Sequence, residues 1–283
     1  MTSKRRGARE LDMSSRTRRT LSLHHLNTPE LSAVELIWLA HSLRCEYVCL
    51  FTQCPPDATS LPFIDDTDIS AVNEALAQTG VKVHGVTSFP VVTGTAVESY
   101  RDGLARGQAI GAELANIRVL EPNLDIAREK FAHLAALCRE YGLRACLEFT
   151  GFNNAEALTR AADLVKQTPD SYLTVDALHL VRSSASWDEF RDQKISHEVG
   201  YIQLCDGPLT ATAADYEREG PYDRQAPGEG QFPLVAMLSL LPDDLPLCLE
   251  IPSKTRRQQG MNAPQLAAHI VSQTRNWLAL NGL

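Results

Sequence analysis

The sequence predicts an α/β protein folded as a single (β/α)8 barrel, a TIM barrel, with a disordered N-terminal tail. Eight short apolar runs are each followed by an amphipathic, helix-like run. The apolar runs are nearly continuous instead of alternating with polar residues, which is typical of parallel strands covered by helices. The 283-residue length suits one closed barrel of this kind, which needs about 250 residues.

The elements follow one another in a regular order. The predicted strands are 20–26, 46–52, 81–91, 116–122, 143–151, 171–178, 200–208 and 246–252. The predicted helices are 28–44, 65–80, 96–114, 124–142, 154–168, 185–196, 232–241 and 263–280. Thr28, Pro29 and Glu30 are typical of a helix start, and Gly80 and Gly142 of helix ends. An open doubly wound sheet is the alternative, but the turn after the first strand lacks the glycines that such a sheet usually has.

Residues 1–19 differ in composition from the rest of the chain. They are basic and polar and contain no long apolar run, so they predict a flexible basic tail outside a barrel domain of residues 20–283. A transit peptide or an arm that binds polyanions is the alternative for this segment. Glu10 and Asp12 argue against both, because such segments carry few acidic residues.

Composition restricts the partners and the compartment. The net charge of −8 and the isoelectric point near 5.5 argue against a nucleic-acid binder, which usually has a basic face. No apolar run approaches the roughly 18 residues that span a bilayer, and no secretory signal is visible. Seven scattered cysteines without CxxC spacing predict reduced thiols in a cytoplasmic protein. We therefore expect a small-molecule substrate, no nucleic-acid or membrane partner, and leave homo-oligomerisation open.

Four polar side chains stand near the ends of the last four predicted strands. They are Glu148, Asp176, Gln203 and Glu250. The C-terminal ends of the strands carry the active site in a barrel of this kind. One acid at a strand end is usually structural, but several buried carboxylates that converge need a cation between them. Oxygen ligands favour a hard divalent ion, so the sequence predicts Mn²⁺, with Mg²⁺ or Co²⁺ as alternatives.

Five segments give the chain a family resemblance from about residue 20 to the C-terminus. They read LEFTG, VDALHLVRS, IQLCDGP, APGEGQFPL and LEIPS. With them the chain resembles the xylose isomerase-like TIM barrels, the group of sugar phosphate isomerases and epimerases. The resemblance implies one divalent metal ion held by Glu148, Asp176, Gln203 and Glu250, and a substrate bound through two of its oxygens.

Two positions depart from the epimerase pattern. Sugar epimerases of this family commonly have histidine where this chain has Gln203, and a glutamine ligand is similar to that of the 3-dehydroshikimate dehydratases. Ketose epimerases have a sugar-contacting acid six residues after the first glutamate, where this chain has Asn154. The first departure gives weight to a lyase, and the second argues against a simple ketose substrate.

Further candidates surround the predicted metal site. The resemblance implies substrate contact for His179, and Arg182 is a candidate to bind an anionic group of the substrate or a neighbouring acid. Asp206 is a candidate to bind substrate, orient Gln203 or cap its own loop. Among His24, His25 and His84, we expect His84 to line the pocket. Glu229 could reach the pocket from a tight turn, and the polar loop 209–226 has the length of a lid.

The predicted activity is that of a metal-dependent isomerase or epimerase of a polyhydroxylated carbonyl compound: a sugar, a sugar derivative or a keto-cyclitol. A metal on the carbonyl and the adjacent hydroxyl would stabilise an enediolate. Glu148 and Glu250 would remove and return the proton, with His179 assisting. Loss of a β-leaving group from the same enediolate would make the enzyme a lyase or dehydratase. An abasic-site DNA endonuclease is a remote alternative, because the chain is acidic.

Overall fold

The computed structural model describes residues 19–54, 61–185, 191 and 198–283. Its centre is a closed barrel of eight parallel strands in sequential order, so the predicted fold class is confirmed. Strands β1 to β8 are Leu21–His24, Tyr47–Phe51, Lys82–Val91, Leu114–Val119, Arg144–Glu148, Ser171–Asp176, Val199–Leu204 and Leu247–Leu249. Each strand pairs with its neighbour in sequence, and β1 pairs with β8 to close the barrel.

Ten α-helices are present in the part of the chain that the structure describes. Helices α1 to α10 are Ala33–Ser42, Ile69–Thr79, Arg101–Ala109, Leu124–Glu140, Glu156–Lys166, Ala177–Arg182, Ala213–Tyr222, Leu234–Leu238, Lys254–Gln258 and Ala263–Leu280. The helix predicted over 185–196 falls almost entirely outside the described residues. No helix in the described ranges combines the length and the apolar character needed to cross a membrane.

The helix boundaries follow local signals, although one of them was misjudged. The predicted start at Thr28 is wrong, because α1 begins at Ala33 behind a capping box formed by Ser32 and Glu35. In that box Ser32 Oγ accepts from the Glu35 N–H, and the Glu35 carboxylate accepts from the Ser32 N–H. The predicted ends hold, since Gly80 and Gly142 follow α2 and α4 with φ of 73° and 71°, a conformation that glycine adopts readily.

The core has an outer and an inner part. The outer part lies between the strands and the surrounding helices and contains most of the buried aliphatic side chains. The inner part fills the barrel itself. It is a second cluster of Cys49, Leu114, Cys146, Tyr201 and Cys248. These side chains fill the interior of the barrel below the C-terminal ends of the strands. A cavity lies above them.

Arg19, the last residue assigned to the predicted tail, packs against the barrel. Residues 1–18 of the predicted tail lie outside the described residues. Arg19, which we assigned to the tail, is buried, and its guanidinium donates to the carbonyl oxygen of Pro242 over 2.9 Å. The contact reaches from the entry of β1 to the segment before β8, so Arg19 belongs to the barrel.

Candidate active site

A cavity of about 420 Å³ opens at the C-terminal ends of the strands. His24 and Phe51 line it from the ends of β1 and β2, and Glu148 and Glu250 line it from the ends of β5 and β8. Its size lies within the range of about 300–1,000 Å³ that is usual for small-molecule sites. The predicted face of the barrel therefore carries a cavity with two of the predicted carboxylates in its wall.

Glu148 is held by two hydrogen bonds at the end of β5. Its Oε2 accepts from Asn116 Nδ2 over 2.7 Å, and its Oε1 lies 3.1 Å from His179 Nε2. Burial raises the pKa of Glu148, but the hydrogen bond and the electrostatic interaction with His179, together with the charges of Arg118 and Arg224, outweigh it and lower that pKa to about 2. Glu148 is thus an ionised carboxylate with a fixed orientation.

Asp176 ends β6 and at the same time caps α6. Its Oδ1 accepts from the backbone N–H groups of Leu178 and His179 over 2.7 and 3.4 Å. Its Oδ2 accepts from Arg224 Nη1 over 2.7 Å. The stretch VDALH therefore combines a buried strand end with a helix N-cap, because aspartate is a preferred N-cap residue. Both oxygens of Asp176 are already used by the protein.

Gln203 lies at the end of β7, beside Glu250. Its Nε2 donates a hydrogen bond to Glu250 Oε2. In the described part of the chain, its buried Oε1 has no hydrogen-bond partner. An unpaired buried amide oxygen costs roughly 1–3 kcal/mol, so it points to a ligand that would complete it. Burial raises the pKa of Glu250 and exceeds the opposing effect of Arg224 and His24.

Arg224 was not among the predicted residues, yet its side chain contacts two of the carboxylates. Its Nη1 donates to Asp176 and to the carbonyl oxygen of Glu250, and lies 3.6 Å from Glu250 Oε2. Burial lowers the pKa of the guanidinium, but the negative charges of Asp176 and Glu250 raise it by more than burial lowers it. Arg224 therefore stays charged. The sequence signal is weak, because Arg224 lies inside a polar segment rich in other charges.

The arrangement fits a divalent cation. Glu148, Asp176 and His179 offer ligand atoms that all lie within 4.8 Å of one another. Glu250 lies outside this group and is linked to it through Arg224, which contacts both Asp176 and Glu250, and Gln203 donates to Glu250. Arg224 is the one guanidinium that makes an ion pair with these carboxylates in the described chain, so negative charge remains in excess. Such oxygen donors suit hard cations. Coordination by Glu148, Asp176, Gln203 and Glu250 stays a prediction, and His179 is a further candidate ligand.

Of the other predicted residues, His179 lies where we expected it. It lines the cavity, and its Nδ1 lies 2.8 Å from the hydroxyl of Tyr216. His24 also lines the cavity, and its Nδ1 accepts from the Leu26 N–H. His25 is buried, and its Nε2 lies 2.8 Å from the carbonyl oxygen of Leu31.

The predicted substrate contact of Arg182 does not hold. Its guanidinium is buried and makes a bidentate pair with Glu219, with N–O distances of 2.8 and 2.9 Å. The same guanidinium donates to the carbonyl oxygen of Pro208 over 2.8 Å. Arg182 therefore took the alternative role, pairing with an acid, because the tertiary fold supplies Glu219 from α7.

Asp206 organises a loop and does not line the cavity. Its Oδ1 accepts from the N–H groups of Gly207 and Phe232, and its Oδ2 accepts from the N–H of Gly228. The substrate-binding prediction is corrected, and the capping alternative describes the structure. Glu229 likewise stays outside the cavity wall, paired with Arg256.

His84 lies at the opposite end of the barrel from the cavity. It is the third residue of β3, and its ring packs between those of Tyr47 and Tyr201, with centroid distances of 5.3 and 5.0 Å. Among the described residues, neither ring nitrogen has a hydrogen-bond partner. The prediction that His84 binds substrate is therefore corrected. The error arose because the strand continues for seven residues beyond His84, to Val91.

Burial of His84 has a consequence for acid stability. Burial, aided by the charge of Arg144, lowers its pKa from 6.5 to about 3. Between these values the unfolded chain binds a proton that the native protein does not, so stability falls as the pH falls. One such group contributes up to about 1.4 kcal/mol per pH unit. In His84→Phe we expect urea unfolding to depend less on pH between 6 and 4.

The exposed His41 supplies the matched control for this experiment. His41→Gln should leave the dependence of unfolding free energy on pH as in the wild type. Equal slopes in wild type and His84→Phe would contradict the assignment. At pH 7 the phenylalanine variant should be at least as stable as the wild type, because it removes two unpaired buried nitrogens.

The segment predicted to be a lid contains a helix that lies over the cavity. Residues 213–222 form α7, which starts with a capping box between Thr212 and Asp215. Glu217, Gly220 and Tyr222 of this helix line the cavity. The segment thus covers the site, as expected of a lid, but the expectation of a polar loop was wrong because the capping box starts a helix there.

Comparisons with known proteins agree with this architecture. A Salmonella typhimurium LT2 protein that contains a xylose isomerase domain matches with a TM-score of 0.73 and 15% identity, over 92% of this chain and 97% of that one. A D-psicose 3-epimerase from Clostridium cellulolyticum H10, solved with D-tagatose, matches with a TM-score of 0.66 and 14% identity, over 93% and 98%.

A third structure joins the same fold to another domain. It is a fusion protein of a xylose isomerase-like TIM barrel and a 4-hydroxyphenylpyruvate dioxygenase. It matches with a TM-score of 0.72 and 17% identity, over 93% of this chain but 44% of the fusion. At these identities the likeness shows the fold alone. The comparison with curated proteins gave no match.

The family itself is shown by the sequence. The model of the xylose isomerase-like TIM barrel family matches residues 38–277, which is most of the chain. The match includes Glu148, Asp176, Gln203 and Glu250 and the helix that covers the cavity. This chain belongs to the xylose isomerase-like TIM barrel family.

Proposed function

We propose that this protein is a divalent-metal-dependent isomerase or epimerase that acts on a small polyhydroxylated carbonyl compound, such as a sugar derivative or a keto-cyclitol. One observation carries the proposal. Three buried carboxylates, Glu148, Asp176 and Glu250, lie at strand ends together with Gln203, and two of them, Glu148 and Glu250, line a cavity of about 420 Å³. Family membership and the epimerases among the similar structures support the same class of reaction.

The three carboxylates differ in whether they line the cavity, and we assign their roles on this basis. Glu148 and Glu250 line the cavity, whereas Asp176 is not part of its wall and caps α6. This difference supports Glu148 and Glu250 as the groups that remove a proton from substrate carbon and return one. Asn116 fixes Glu148 through a hydrogen bond of 2.7 Å, and Gln203 fixes Glu250.

The metal proposed for the site is Mn²⁺, with Mg²⁺ and Co²⁺ as alternatives. Glu148, Asp176, Gln203 and Glu250 would hold it. When bound, the cation supplies Lewis-acid stabilisation of negative charge on substrate oxygens. Arg224 offsets part of the negative charge of Asp176 and Glu250, and His179 presents its imidazole to the same space.

The test is solvent exchange with candidate substrates. Purified protein with Mn²⁺ is incubated in D₂O with a panel of keto-sugars, keto-cyclitols and dehydroshikimate. A turned-over substrate should carry deuterium on the carbon beside the carbonyl, because the proton passes through carboxylates that exchange with solvent. Mass spectrometry and NMR locate the label. Isomerisation or epimerisation without deuterium in the product would indicate hydride transfer and would overturn the roles of Glu148 and Glu250.

A lyase on the same site is the second candidate. It is favoured by the position of His179. The imidazole lines the cavity and contacts Glu148 and Tyr216. A proton donor at this place could assist a leaving hydroxyl group. The mass of the product separates the two reactions: an unchanged mass identifies an isomerase or epimerase, and loss of water identifies a dehydratase.

A further inference from the structure

Arg118 lies in the wall of the active-site cavity, near the end of β4. Alternate residues of a strand point to the same side, so Leu114, Asn116 and Arg118 all face the barrel interior. Leu114 belongs to the inner cluster, Asn116 donates to Glu148, and Arg118 lines the cavity above them. The strand register places Arg118 beside Glu148 of β5. The guanidinium is therefore presented to the space in which the proposed reaction takes place.

Arg118 differs from the other arginine in the cavity wall, because it has no fixed partner. Arg224 pairs with Asp176 and with Glu250. Arg118 makes no hydrogen bond or ion pair with any residue that the structure describes. Its neighbour Glu148 is contacted by Asn116 and His179 instead. A half-buried guanidinium keeps its charge, and the cavity is the place from which a ligand can supply the acceptor that Arg118 lacks.

The charges of the cavity wall favour a carboxylate as this acceptor. A guanidinium presents two parallel N–H donors that match the two oxygens of a carboxylate. In the described part of the wall, Arg118 is the one arginine or lysine without an ion pair, so it balances a single negative charge. A phosphate monoester carries about 1.5 to 2 negative charges at pH 7. Glu148, Glu217 and Glu250 line the same wall and would repel the additional charge.

We propose that Arg118 is a substrate-binding residue that selects substrates with a carboxylate group. The substrate is then a polyhydroxylated carbonyl compound that also carries an acid group, separate from the reacting carbonyl. The proposal rests on the proposed function for the reaction, but the binding of a carboxylate by Arg118 can be measured without turnover. Arg118 would thus supply the anion-binding group that we expected of Arg182, whose guanidinium pairs with Glu219.

The test compares three forms of one sugar by isothermal titration of the protein, with and without Mn²⁺. D-Fructose, D-fructuronate and D-fructose 6-phosphate differ at the terminal carbon, which carries a hydroxyl group, is a carboxylate or carries a phosphate. The same three forms of D-tagatose vary the configuration of one hydroxyl group. The carboxylates should bind about 10–100-fold more tightly than the parent sugars, which is the usual effect of a hydrogen bond to a charged group. They should also bind more tightly than the phosphates.

Three variants assign the preference to Arg118. Arg118→Met should abolish the preference for carboxylates. Arg118→Lys should keep part of it, because a lysine retains the charge but not the two parallel donors. Arg128→Met is the matched control, since it removes one positive charge from the protein surface, where Arg128 pairs with Asp125. This variant should bind all six ligands as the wild type does.

Three results would overturn the proposal. The first is the absence of any preference for carboxylates in the wild type, including the absence of binding. The second is tighter binding of the phosphates. The third is a preference that persists in Arg118→Met, with the fold intact by circular dichroism, which would place the carboxylate on the metal or on another residue. A preference that depends on Arg118 without any turnover would refute the proposed reaction alone. Turnover of neutral sugars as fast as of their carboxylates would refute the role of Arg118 alone.

Discussion

Replacing Glu148 with glutamine is expected to weaken the binding of Mn²⁺ by at least about 100-fold, since even the loss of an outer-shell partner costs 10–100-fold. The variant removes a buried negative charge but keeps the shape of the side chain and its contact with Asn116. Isothermal titration with Mn²⁺ measures the affinity, and elemental analysis measures the occupancy. Glu250→Gln should give a similar loss. If a substrate is known, turnover should fall by about 10²–10⁴-fold in both variants.

Glu121 supplies the control for these variants. It is a buried carboxylate that does not line the cavity, and it lies 3.7 Å from Lys130. Glu121→Gln should bind Mn²⁺ as the wild type does. Full occupancy in both Glu148→Gln and Glu250→Gln, with the fold intact by circular dichroism, would refute the metal assignment.

Replacing Arg182 with methionine is expected to lower the free energy of unfolding by about 3–5 kcal/mol, because Glu219 would be left buried without its partner. Both side chains are almost fully buried, at 2% and 8% exposed, so solvent cannot replace the lost charge. Urea unfolding followed by circular dichroism measures the change.

The double variant separates the pair from its environment. Arg182→Met with Glu219→Met should be more stable than Arg182→Met alone, because two apolar side chains leave no buried unpaired charge. Arg128→Met removes an exposed partner of Asp125 and should change stability little. A loss below about 1 kcal/mol in Arg182→Met would show that Glu219 finds another partner or becomes solvated, contrary to this structure.

The fold could be predicted because its signals are local. Each apolar run forms a strand whose inner and outer faces are both covered, and each glycine stop lies where a helix ends, as at Gly80 and Gly142. The boundaries were less certain, because competing signals lie close together. The helix predicted to start at Thr28 starts instead after the capping box of Ser32 and Glu35, whose N-cap lies four residues later.

The strand-end carboxylates could be predicted for the same reason. A charged or amide side chain at the end of an apolar strand has one place to go in a barrel, the C-terminal mouth. His84 was placed there wrongly because its strand runs on to Val91. Arg224 and Tyr216 were not predicted as site residues, because the segment 209–226 contains many other polar residues that could equally reach the site. Nothing local distinguishes the two that turn toward Asp176 and His179.

The sequence by itself determined the barrel, the end of the barrel at which the acids lie, and the oxygen-rich character of the predicted metal site. These follow from hydrophobic periodicity and from the direction of parallel strands, which neighbouring residues encode. Only the tertiary structure decided which partner each charged side chain takes. Arg182 pairs with Glu219 and Arg224 with Asp176 across 37 and 48 residues of chain, because buried charges bind the opposite charge that folding brings nearest, whatever its distance in sequence.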